Sequence, residues 1–380
     1  MVDPAALPRT PAFVLEYDAF LNNLGLIRGI QDRSPCSFLF ALKGFAMHRV
    51  FPELASAVRG ATASSLFELR LADEFFNEVH AYAPVYIPGD FPEIARRSTH
   101  VTFNSLTEYE RYRRDLSGAS PGLRINPEYS TVETDLYNPC IPGSRLGVQA
   151  ADVKQLPAGI QGLHSHNLCE SSAGDLSATL DQIECLYGHL LEEITWINLG
   201  GGHLVTRKGY DIALFERRIA AFHEAYPHLD IILEPGAAYV WETGVLIAEV
   251  LDIVNSSGIR IAMLDTSFAA HMPDCLEMPY TPRIRGAHSA DTIGGDEESG
   301  IRYRMGGATC LAGDVAGDYL FPRELKVGDR IVFEDMMHYT MVKTNMFNGI
   351  ALPEIGIWRE NQGYELAASF SYHDYRGRLS

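Results

Sequence analysis

A lysine stands at the end of an apolar run that has the character of a buried strand. The run is Ser37-Phe-Leu-Phe-Ala-Leu-Lys43, and Gly44 follows it directly. Burial of the lysine stem disfavours the ammonium form and lowers the pKa of the amine. Such an amine can form a Schiff base with an aldehyde. The alternative is that Lys43 extends its amine to solvent, as a lone lysine usually does.

Two histidines and a glutamate end later apolar runs. His164 and His166 are one residue apart, so a strand directs both imidazoles to the same side. The pair could bind a metal ion, or one ring could be a platform for a flat cofactor. Glu234, in Glu-Pro-Gly, could pair with a protonated pyridine nitrogen and keep that ring a good electron acceptor. It could also cap the next helix.

Three further motifs could complete such a site. Gly200–Gly202 follows an apolar run and could bind a phosphate through backbone N–H groups, although a tight turn alone also needs glycine. It does not match the dinucleotide fingerprint G-x-G-x-x-G. Cys310 lies in a loop of small residues and could be a packed thiol or, presented by a partner subunit, an acid. Tyr339 could donate to a phosphate.

The elements that must position these residues alternate between strand and helix. Amphipathic segments such as 65–76, 176–193 and 214–225 separate eight short apolar runs. This alternation predicts an α/β fold, a parallel (β/α)8 barrel whose chemistry lies at the carboxyl ends of the strands. The residues above fall at or just beyond those ends. The predicted strands are 38–42, 61–64, 85–87, 101–104, 123–126, 160–166, 196–199 and 231–234.

The pattern changes near residue 243. The segments 245–254, 259–264, 330–334 and 365–370 are strand-like and lack regular helices between them. We therefore predict two domains, a barrel over 37–243 and a β-rich domain formed by 1–36 together with 244–380.

Composition excludes several classes of partner. The 380 residues carry a formal charge of −18, with 49 acidic and 31 basic side chains, which argues against nucleic acid and anionic membranes. A cationic substrate is compatible with this balance. The six cysteines are scattered without CxxC spacing, and no signal peptide or membrane-spanning run is evident, so we expect a cytoplasmic protein.

In combination and in order, these motifs resemble those of the fold-type-III pyridoxal-phosphate decarboxylases, the group of ornithine and diaminopimelate decarboxylases. The resemblance covers nearly the whole chain. Segments 268–280 and 310–314 are most similar to carboxynorspermidine/carboxyspermidine decarboxylases. The matching motifs are Ala-Leu-Lys43, Leu-Arg124-Ile-Asn-Pro, His164-Ser-His166, Gly200–Gly202, Glu234-Pro-Gly, Cys310-Leu-Ala-Gly-Asp314, and Tyr339-Thr with Phe347-Asn-Gly.

The resemblance implies pyridoxal 5′-phosphate as cofactor, no metal, a small cationic polyamine-type substrate, and a homodimer with shared active sites. Cys310 would come from the other subunit and donate a proton. The implied cofactor contacts are Lys43 as the Schiff-base lysine, His166 against the ring, Glu234 at the ring nitrogen, Arg124 at the ring's polar edge, and Gly201, Gly202 and Tyr339 at the phosphate. The implied substrate contacts are Asp274 at the distal cationic end, Ala237, His271 and Asp314.

One position departs from the family pattern. Ornithine decarboxylase relatives have an arginine after Glu-Pro-Gly, and carboxynorspermidine decarboxylases have an acidic residue there, whereas this chain has Ala237. Phosphate binding must then depend on glycine N–H groups and Tyr339.

The sequence leaves four alternatives open. They are a diaminopimelate or ornithine decarboxylase, an amino-acid racemase, a non-catalytic pyridoxal-phosphate carrier, and a metal hydrolase that uses His164 and His166. The missing arginine disfavours the first. Cys310 is a poor second base for a racemase at its ordinary pKa, and a carrier needs neither the β-rich domain nor the Cys310 loop.

Overall fold

The computed structural model describes residues 1–132, 134–278, 280–290 and 300–380. The chain forms two compact units. One consists of Asn23–Tyr239, and the other combines Met1–Asn22 with Val240–Ser380. The first strand and helix, β1 (Ala12–Glu16) and α1 (Tyr17–Arg33), lead from the second unit into the first. The division therefore lies inside α1, whereas the sequence analysis set it at residue 37.

Eight parallel strands close into a barrel within Asn23–Tyr239, as the sequence predicts. The last strand returns to the first, with Ser37 paired to Ile232 and Phe38 to Leu233. The strands are β2 (Ser37–Ala41), β3 (Gly60–Ala63), β4 (Val79–Tyr82), β5 (His100–Phe103), β6 (Ser120–Ile125), β7 (Gly162–Ser165), β8 (Trp196–Asn198) and β9 (Asp230–Leu233).

The predicted strand 85–87 is wrong, because the third strand of the barrel is β4, which begins six residues earlier. Val85 and Ile87 are 68% and 64% exposed. Tyr86, between them, is buried and donates its hydroxyl to the carbonyls of Ala81 and Thr102. The apolar alternation at 85–87 thus reflects one buried tyrosine in a turn.

Helices follow the strands, and polar caps begin several of them. Ser65 caps α3, and Ser172 forms a capping box with Asp175 at the start of α6. The three helices predicted from the sequence are confirmed with slightly different ends. The helices of this unit are α2 (Phe51–Ala57), α3 (Leu66–Asp73), α4 (Phe91–Arg97), α5 (Leu106–Tyr112), α6 (Ala173–Leu191) and α7 (Ile212–Ala225).

Trp196 fills the barrel interior at the amino-terminal end of the strands. The indole is buried and packs with Leu39 and Ile232. Only glycine fits opposite it, because a Cβ on Gly162 would lie 2.0 Å from the ring and one on Gly122 would lie 2.2 Å away. This packing leaves the carboxyl ends of the strands as the place for chemistry.

The second unit is built on a mixed sheet, which confirms the predicted β-rich domain. The strand order is β12-β14-β13-β11-β10-β1-β16-β17, and β15 pairs with β10. Short helices α8 (Phe268–His271), α9 (Asp274–Glu277) and α10 (Tyr372–Gly377) lie between or after the strands. The strands after β1 are β10 (Gly244–Ser256), β11 (Ile259–Leu264), β12 (His288–Ser289), β13 (Ile301–Gly306), β14 (Val315–Phe321), β15 (Arg330–Glu334), β16 (Glu354–Arg359) and β17 (Gly363–Ala368).

Candidate active site

Lys43 lies two residues beyond β2, at the carboxyl end of the barrel. Its Nζ is 3.3 Å from His166 Nε2, and the side chain is half-buried. Burial lowers the pKa of Lys43, and the charge of Glu234 offsets part of that shift. A larger neutral fraction makes this amine a better nucleophile toward an aldehyde than a surface lysine is.

Glu234 follows β9 and is almost fully buried. Asn198, the last residue of β8, donates from Nδ2 to Glu234 Oε1 at 2.7 Å. Glu234 Oε2 lies 3.6 Å from His164 Nε2 and 4.0 Å from His166 Nδ1. One carboxylate oxygen is therefore held by an amide, while the other lies on the histidine side. A buried, fixed carboxylate of this kind suits a cationic ring nitrogen.

His166 presents a neutral ring between Lys43 and Glu234. Burial lowers its pKa well below the usual range, and the charge of Lys43 lowers it further. The Gly201 N–H donates to His166 Nδ1 at 3.3 Å, which limits the orientation of the imidazole. Burial also lowers the pKa of His164 to about 4. Both histidines are thus uncharged near neutral pH, and the flat His166 ring can pack against an aromatic cofactor.

Gly200–Gly202 form a turn that accepts no side chains. Gly200 and Gly202 have φ values of +68° and +88°, in the left-handed region. A Cβ on Gly201 would lie 2.6 Å from the Glu234 carbonyl oxygen. The turn is tied to the neighbouring strands, since Gly200 N donates to Asn198 Oδ1 at 2.8 Å and Glu234 N donates to Gly200 O at 2.7 Å. Backbone of this shape can approach an anionic group closely.

Arg124, near the end of β6, is buried and held by two partners. It donates to the Tyr82 hydroxyl at 2.5 Å and to the His166 carbonyl at 2.8 Å. Its guanidinium also lies over the Tyr82 ring, 4.7 Å from the ring centre. Tyr82 in turn donates to Asn104 at the end of β5. Arg124 therefore brings a fixed positive charge beside the backbone of His166.

Ala237 begins a short 3-10 turn, Ala237–Tyr239, directly after Gly236. This segment is packed against the residue that follows Lys43: a Cβ on Gly44 would lie 3.3 Å from Gly236 Cα and 3.6 Å from Ala237 N. Ala237 is thus near the Lys43 end of the barrel. Its methyl group has no charge to offer a phosphate or a cation.

These residues fit pyridoxal phosphate. They supply an amine with a lowered pKa, a neutral flat ring, a buried carboxylate and a glycine turn. Neither ring nitrogen of His164 has a hydrogen-bond partner among the described residues, which leaves polar capacity in the site. His164, His166 and Glu234 also place one ligand atom each within 4.8 Å of one another, as a metal site would require. These distances are therefore compatible with a pyridoxal phosphate site and with a metal site.

In the second unit, the Cys310 loop is held from two sides. Cys310 is exposed, and its N–H donates to Asn348 Oδ1 at 2.8 Å. Asn348 has a φ of +57°, a conformation that asparagine tolerates better than most residues. On the other side, Thr309 donates its N–H and its hydroxyl to Asp314 Oδ2 at 3.1 and 2.6 Å. The thiol is therefore exposed on a loop whose backbone is fixed.

Asp314 and His271 are buried and make internal contacts. Asp314 Oδ1 accepts the N–H groups of Phe268 and Ala269 at 2.7 and 3.0 Å, in addition to its bonds from Thr309. One carboxylate thus links the first turn of α8 to the Cys310 loop. His271 Nδ1 lies 3.0 Å from the Thr266 hydroxyl, and burial lowers the pKa of His271 to about 4. Sequence analysis expected both residues to contact the substrate, and that contact stays a prediction for two side chains that are buried in this chain.

Asp274 and Tyr339 lie at turns of the same unit. Asp274 begins α9 and forms an ion pair with Lys343, which also lies 2.9 Å from Glu277. Tyr339 is half-buried and has a φ of +56°, which is uncommon for an aromatic residue and typical of functionally constrained positions.

Four residues of these clusters were not identified from the sequence. Asn198 and Tyr82 are polar residues within strands that are largely buried. A polar residue in such a strand could have indicated a role in the site. Asn348 lay within a quoted motif and was given no role. Lys343 carried no signal, because its partners Asp274 and Glu277 are more than 60 residues away in the chain.

A family model described as "Pyridoxal-dependent decarboxylase, C-terminal sheet domain" matches residues 15–337. Carboxyaminopropylagmatine decarboxylase of Synechocystis is 53% identical over 379 residues, which cover 99% of this chain and 96% of that protein. Carboxynorspermidine/carboxyspermidine decarboxylase of Campylobacter jejuni is 40% identical over 374 residues and 97% of each chain.

A solved structure gives the same picture. The crystal structure of carboxynorspermidine decarboxylase from Campylobacter jejuni, complexed with norspermidine, superposes with a TM-score of 0.89. It is 38% identical in sequence, and the match covers 97% of this chain and 100% of that one. Diaminopimelate decarboxylase from Helicobacter pylori has a TM-score of 0.83 at 17% identity, which indicates a shared fold.

Proposed function

The chain belongs to the pyridoxal-dependent decarboxylase family, and from this premise we propose that it decarboxylates a carboxylated polyamine, carboxynorspermidine or carboxyspermidine. The chain is 40% and 35% identical, over nearly its full length, to two decarboxylases named for these substrates. That similarity carries the proposal, together with the position of Lys43, His166 and Glu234 at one end of the barrel. The enzyme uses pyridoxal phosphate. When bound, this cofactor accepts the electron pair left on the substrate as CO₂ departs.

The barrel residues would bind and orient the cofactor. Lys43 Nζ would hold its aldehyde carbon and yield that carbon to the substrate amine. His166 would pack against the ring as an uncharged surface. Glu234, fixed by Asn198, would keep the ring nitrogen protonated. Gly201 and Gly202 would let the backbone approach the phosphate closely, with the Gly202 N–H as donor, because the Gly201 N–H already donates to His166 Nδ1. Arg124 would stay beside the polar edge of the ring, and Tyr339 would donate to the phosphate.

Cys310 would return the proton. The Cα–COO⁻ bond would break, CO₂ would leave, and Cα would take a proton from Cys310 Sγ; the thiolate would then regain a proton from water. The thiol is exposed in its own chain, which suits presentation to a second subunit. We therefore propose a homodimer in which Cys310 of one subunit completes the site of the other. Asp314 and Asn348 would hold the loop, so we assign Asp314 and the buried His271 to positioning and leave Asp274 and Ala237 as the substrate-facing positions.

A cytoplasmic location is also proposed. The six cysteines are free thiols, which fits a reducing compartment. Separately, none of the helices among the described residues has the length and apolar character that a membrane crossing requires.

A second candidate substrate is carboxyaminopropylagmatine. It is favoured by a specific observation, since the relative named for it is 53% identical over 99% of this chain. That substrate ends in a guanidinium group, which a pair of carboxylates can bind through several N–H donors. Diaminopimelate and ornithine are weaker candidates, because the decarboxylases named for them match at 20–25% identity.

A product assay tests the proposal. Purified protein with pyridoxal phosphate is given each of the three carboxylated polyamines, diaminopimelate and ornithine, and CO₂ and amine are measured. We expect release from at least one carboxylated polyamine and little from the two smaller substrates. Lys43→Ala should lose both the visible absorbance of the bound cofactor and the release of CO₂. Ala237→Glu, which adds a negative charge, should lower KM for the carboxylated polyamines. Preferred release from diaminopimelate or ornithine would overturn the substrate assignment, and an unchanged spectrum in Lys43→Ala would overturn the cofactor-binding role of that lysine.

A further inference from the structure

Lys343, Asp274 and Glu277 form a three-charge cluster on the surface of the β-rich unit. Lys343 ends the 3-10 turn Met341–Lys343, and its Nζ is paired with Asp274 Oδ1 and with Glu277 Oε2, the latter at 2.9 Å. The side chains of Asp274, Lys343 and Glu277 are 18%, 32% and 53% exposed. The cluster is therefore accessible to a ligand from solvent, and its net charge is one negative.

The backbone fixes the position of the lysine. Two residues after Lys343, Asn345 donates its N–H to Ala270 O at 2.8 Å and its amide Nδ2 to Ala269 O at 3.1 Å. The turn that carries Lys343 is thereby attached to α8, three residues before Asp274. The long side chain of Lys343 still loses rotamer entropy on forming this pair, but its backbone starts from a fixed position. Because the turn is attached to α8, Lys343 stays within reach of both carboxylates.

The lysine ammonium is chemically equivalent to the end of a polyamine. A primary ammonium carries one charge and three N–H donors on a flexible methylene chain, and so does the terminus of norspermidine or spermidine. If Asp274 binds the distal end of the substrate, Lys343 occupies the same carboxylates in the free enzyme. The substrate cation must then either displace the lysine or share the two carboxylates with it.

We propose that Lys343 is a specificity-determining residue that competes with the distal cation of the substrate for Asp274 and Glu277. This inference rests on the proposed function and adds to it a residue with no assigned role. By neutralising one of the two carboxylates, Lys343 leaves the subsite with the capacity for a single additional positive charge. A cation there gains less than it would from two free carboxylates, and an end group without charge gains nothing.

A binding experiment measures this competition directly. Norspermidine, the triamine in the Campylobacter jejuni complex, has no carboxylate to lose, so calorimetric titration of the holoenzyme gives its Kd without turnover. Removing a half-exposed competing charge in Lys343→Met should lower that Kd by roughly three- to tenfold, the equivalent of about 1 kcal/mol. The dependence of Kd on salt should become steeper. Lys343→Arg, which keeps the charge, should stay within about twofold of the original protein.

Further variants separate charge from folding. Asp274→Asn and Glu277→Gln should each raise the Kd. The pair Lys343→Met with Glu277→Gln keeps a net charge of one negative, so it should bind norspermidine about as the original protein does. Lys154→Met, at an exposed lysine outside both clusters, is the matched control and should change nothing. Equal or weaker binding by Lys343→Met, in a protein that melts at the same temperature as the Lys154→Met control, would overturn the proposal.

The outcome is distinguishable from a failure of the proposed function. If no carboxylated polyamine releases CO₂, the proposed activity fails, whereas the norspermidine titration still reports on the subsite. If CO₂ is released but Lys343→Met changes neither the Kd nor KM, the activity stands and the competing role of Lys343 fails.

Discussion

Asn198 Nδ2 donates to Glu234 Oε1 over 2.7 Å, and the same asparagine accepts the Gly200 N–H at 2.8 Å. One amide therefore fixes both the buried carboxylate and the first residue of the glycine turn. Because β8 and β9 are neighbours in the barrel, this contact aligns the two groups that we assign to the ring nitrogen and to the phosphate of the cofactor.

Asn198→Ala should weaken both functions at once. A buried carboxylate that loses a hydrogen bond is destabilised by about 1–3 kcal/mol, so kcat/KM should fall on the order of tenfold or more. The affinity for pyridoxal phosphate, followed by its visible absorbance, should fall as well. Asn22→Ala, at an exposed position, is the matched control. Normal cofactor affinity in Asn198→Ala would contradict the role of this contact.

Gly201→Ala tests the phosphate turn without a backbone penalty, since Gly201 does not have a positive φ. The added methyl would meet the Glu234 carbonyl at 2.6 Å and force a local shift that costs roughly 1–3 kcal/mol. We expect pyridoxal phosphate to bind about tenfold more weakly, as measured by titration of the apoenzyme. Gly89→Ala, where no atom lies within 4 Å of the new methyl, should bind normally. Similar affinities in the two variants would argue against Gly201 as part of the cofactor site.

The contact between Asn348 and Cys310 can be removed without disturbing the left-handed turn. Asn348→Gly keeps the backbone conformation and loses the acceptor, whereas Asn348→Asp keeps both. If the contact positions Cys310 for proton delivery, kcat should fall several-fold in the glycine variant while KM changes little, and the aspartate variant should retain most activity. Steady-state kinetics of both variants, with Cys310→Ala as reference, measure this. A kcat that is unaffected in Asn348→Gly would exclude the positioning role.

A cluster at the other end of the barrel predicts acid sensitivity. His100 stacks on His80 with ring centres 3.8 Å apart, and burial together with His80 lowers the pKa of His100 to about 3. Although burial alone would raise it, hydrogen bonds from His80 and Arg59 lower the pKa of Glu78 to about 2. Both groups bind protons less readily in the folded state than in the unfolded state. Stability is therefore lost as pH falls, from about 6.5 downwards for His100 and from about 4.5 downwards for Glu78.

His100→Gln should reduce this dependence. The melting temperature of the original protein is expected to fall between pH 7.5 and pH 5, where Glu78 stays ionised, and the slope should be smaller in the variant. Other buried histidines, including His164 and His166, contribute to the slope in both proteins, so the difference between the two isolates His100. His48→Gln, at an exposed histidine, is the control. Parallel melting curves for the original protein and His100→Gln would refute the assignment.

The barrel, and the meeting of Lys43, His166 and Glu234 at one end of it, could be predicted because the signals are local. An apolar run followed by a lysine, a histidine pair or Glu-Pro-Gly marks a strand end, and parallel strands bring all such ends to one place. Lys43, His166 and Glu234 were found in this way. The third strand of the barrel was misplaced because three consecutive apolar residues, only the middle one of which (Tyr86) is buried, imitate a strand.

The partners of the site residues could not be predicted, because they depend on tertiary contacts. Nothing in the local sequence distinguishes a carboxylate that faces a substrate from one that holds a loop, and Asp314 is an example of the second kind. Nor does the sequence around Asp274 indicate a lysine 69 residues later in the chain. Motifs identify candidate functional residues. The contacts in the folded chain are needed to distinguish candidates that face a ligand from those that position other residues.

The packing of Trp196 against Gly122 and Gly162 limits how substrate can enter the barrel and how product can leave it. Because Trp196 fills the barrel at the amino-terminal ends of the strands, substrate and product must both pass the carboxyl ends. The proposed product has lost the carboxylate and keeps every amine of the substrate, so its net charge is more positive by one and a negatively charged protein attracts it more strongly. Accumulated product would then compete with the substrate for the same entrance. We therefore expect product inhibition that needs no separate regulatory site.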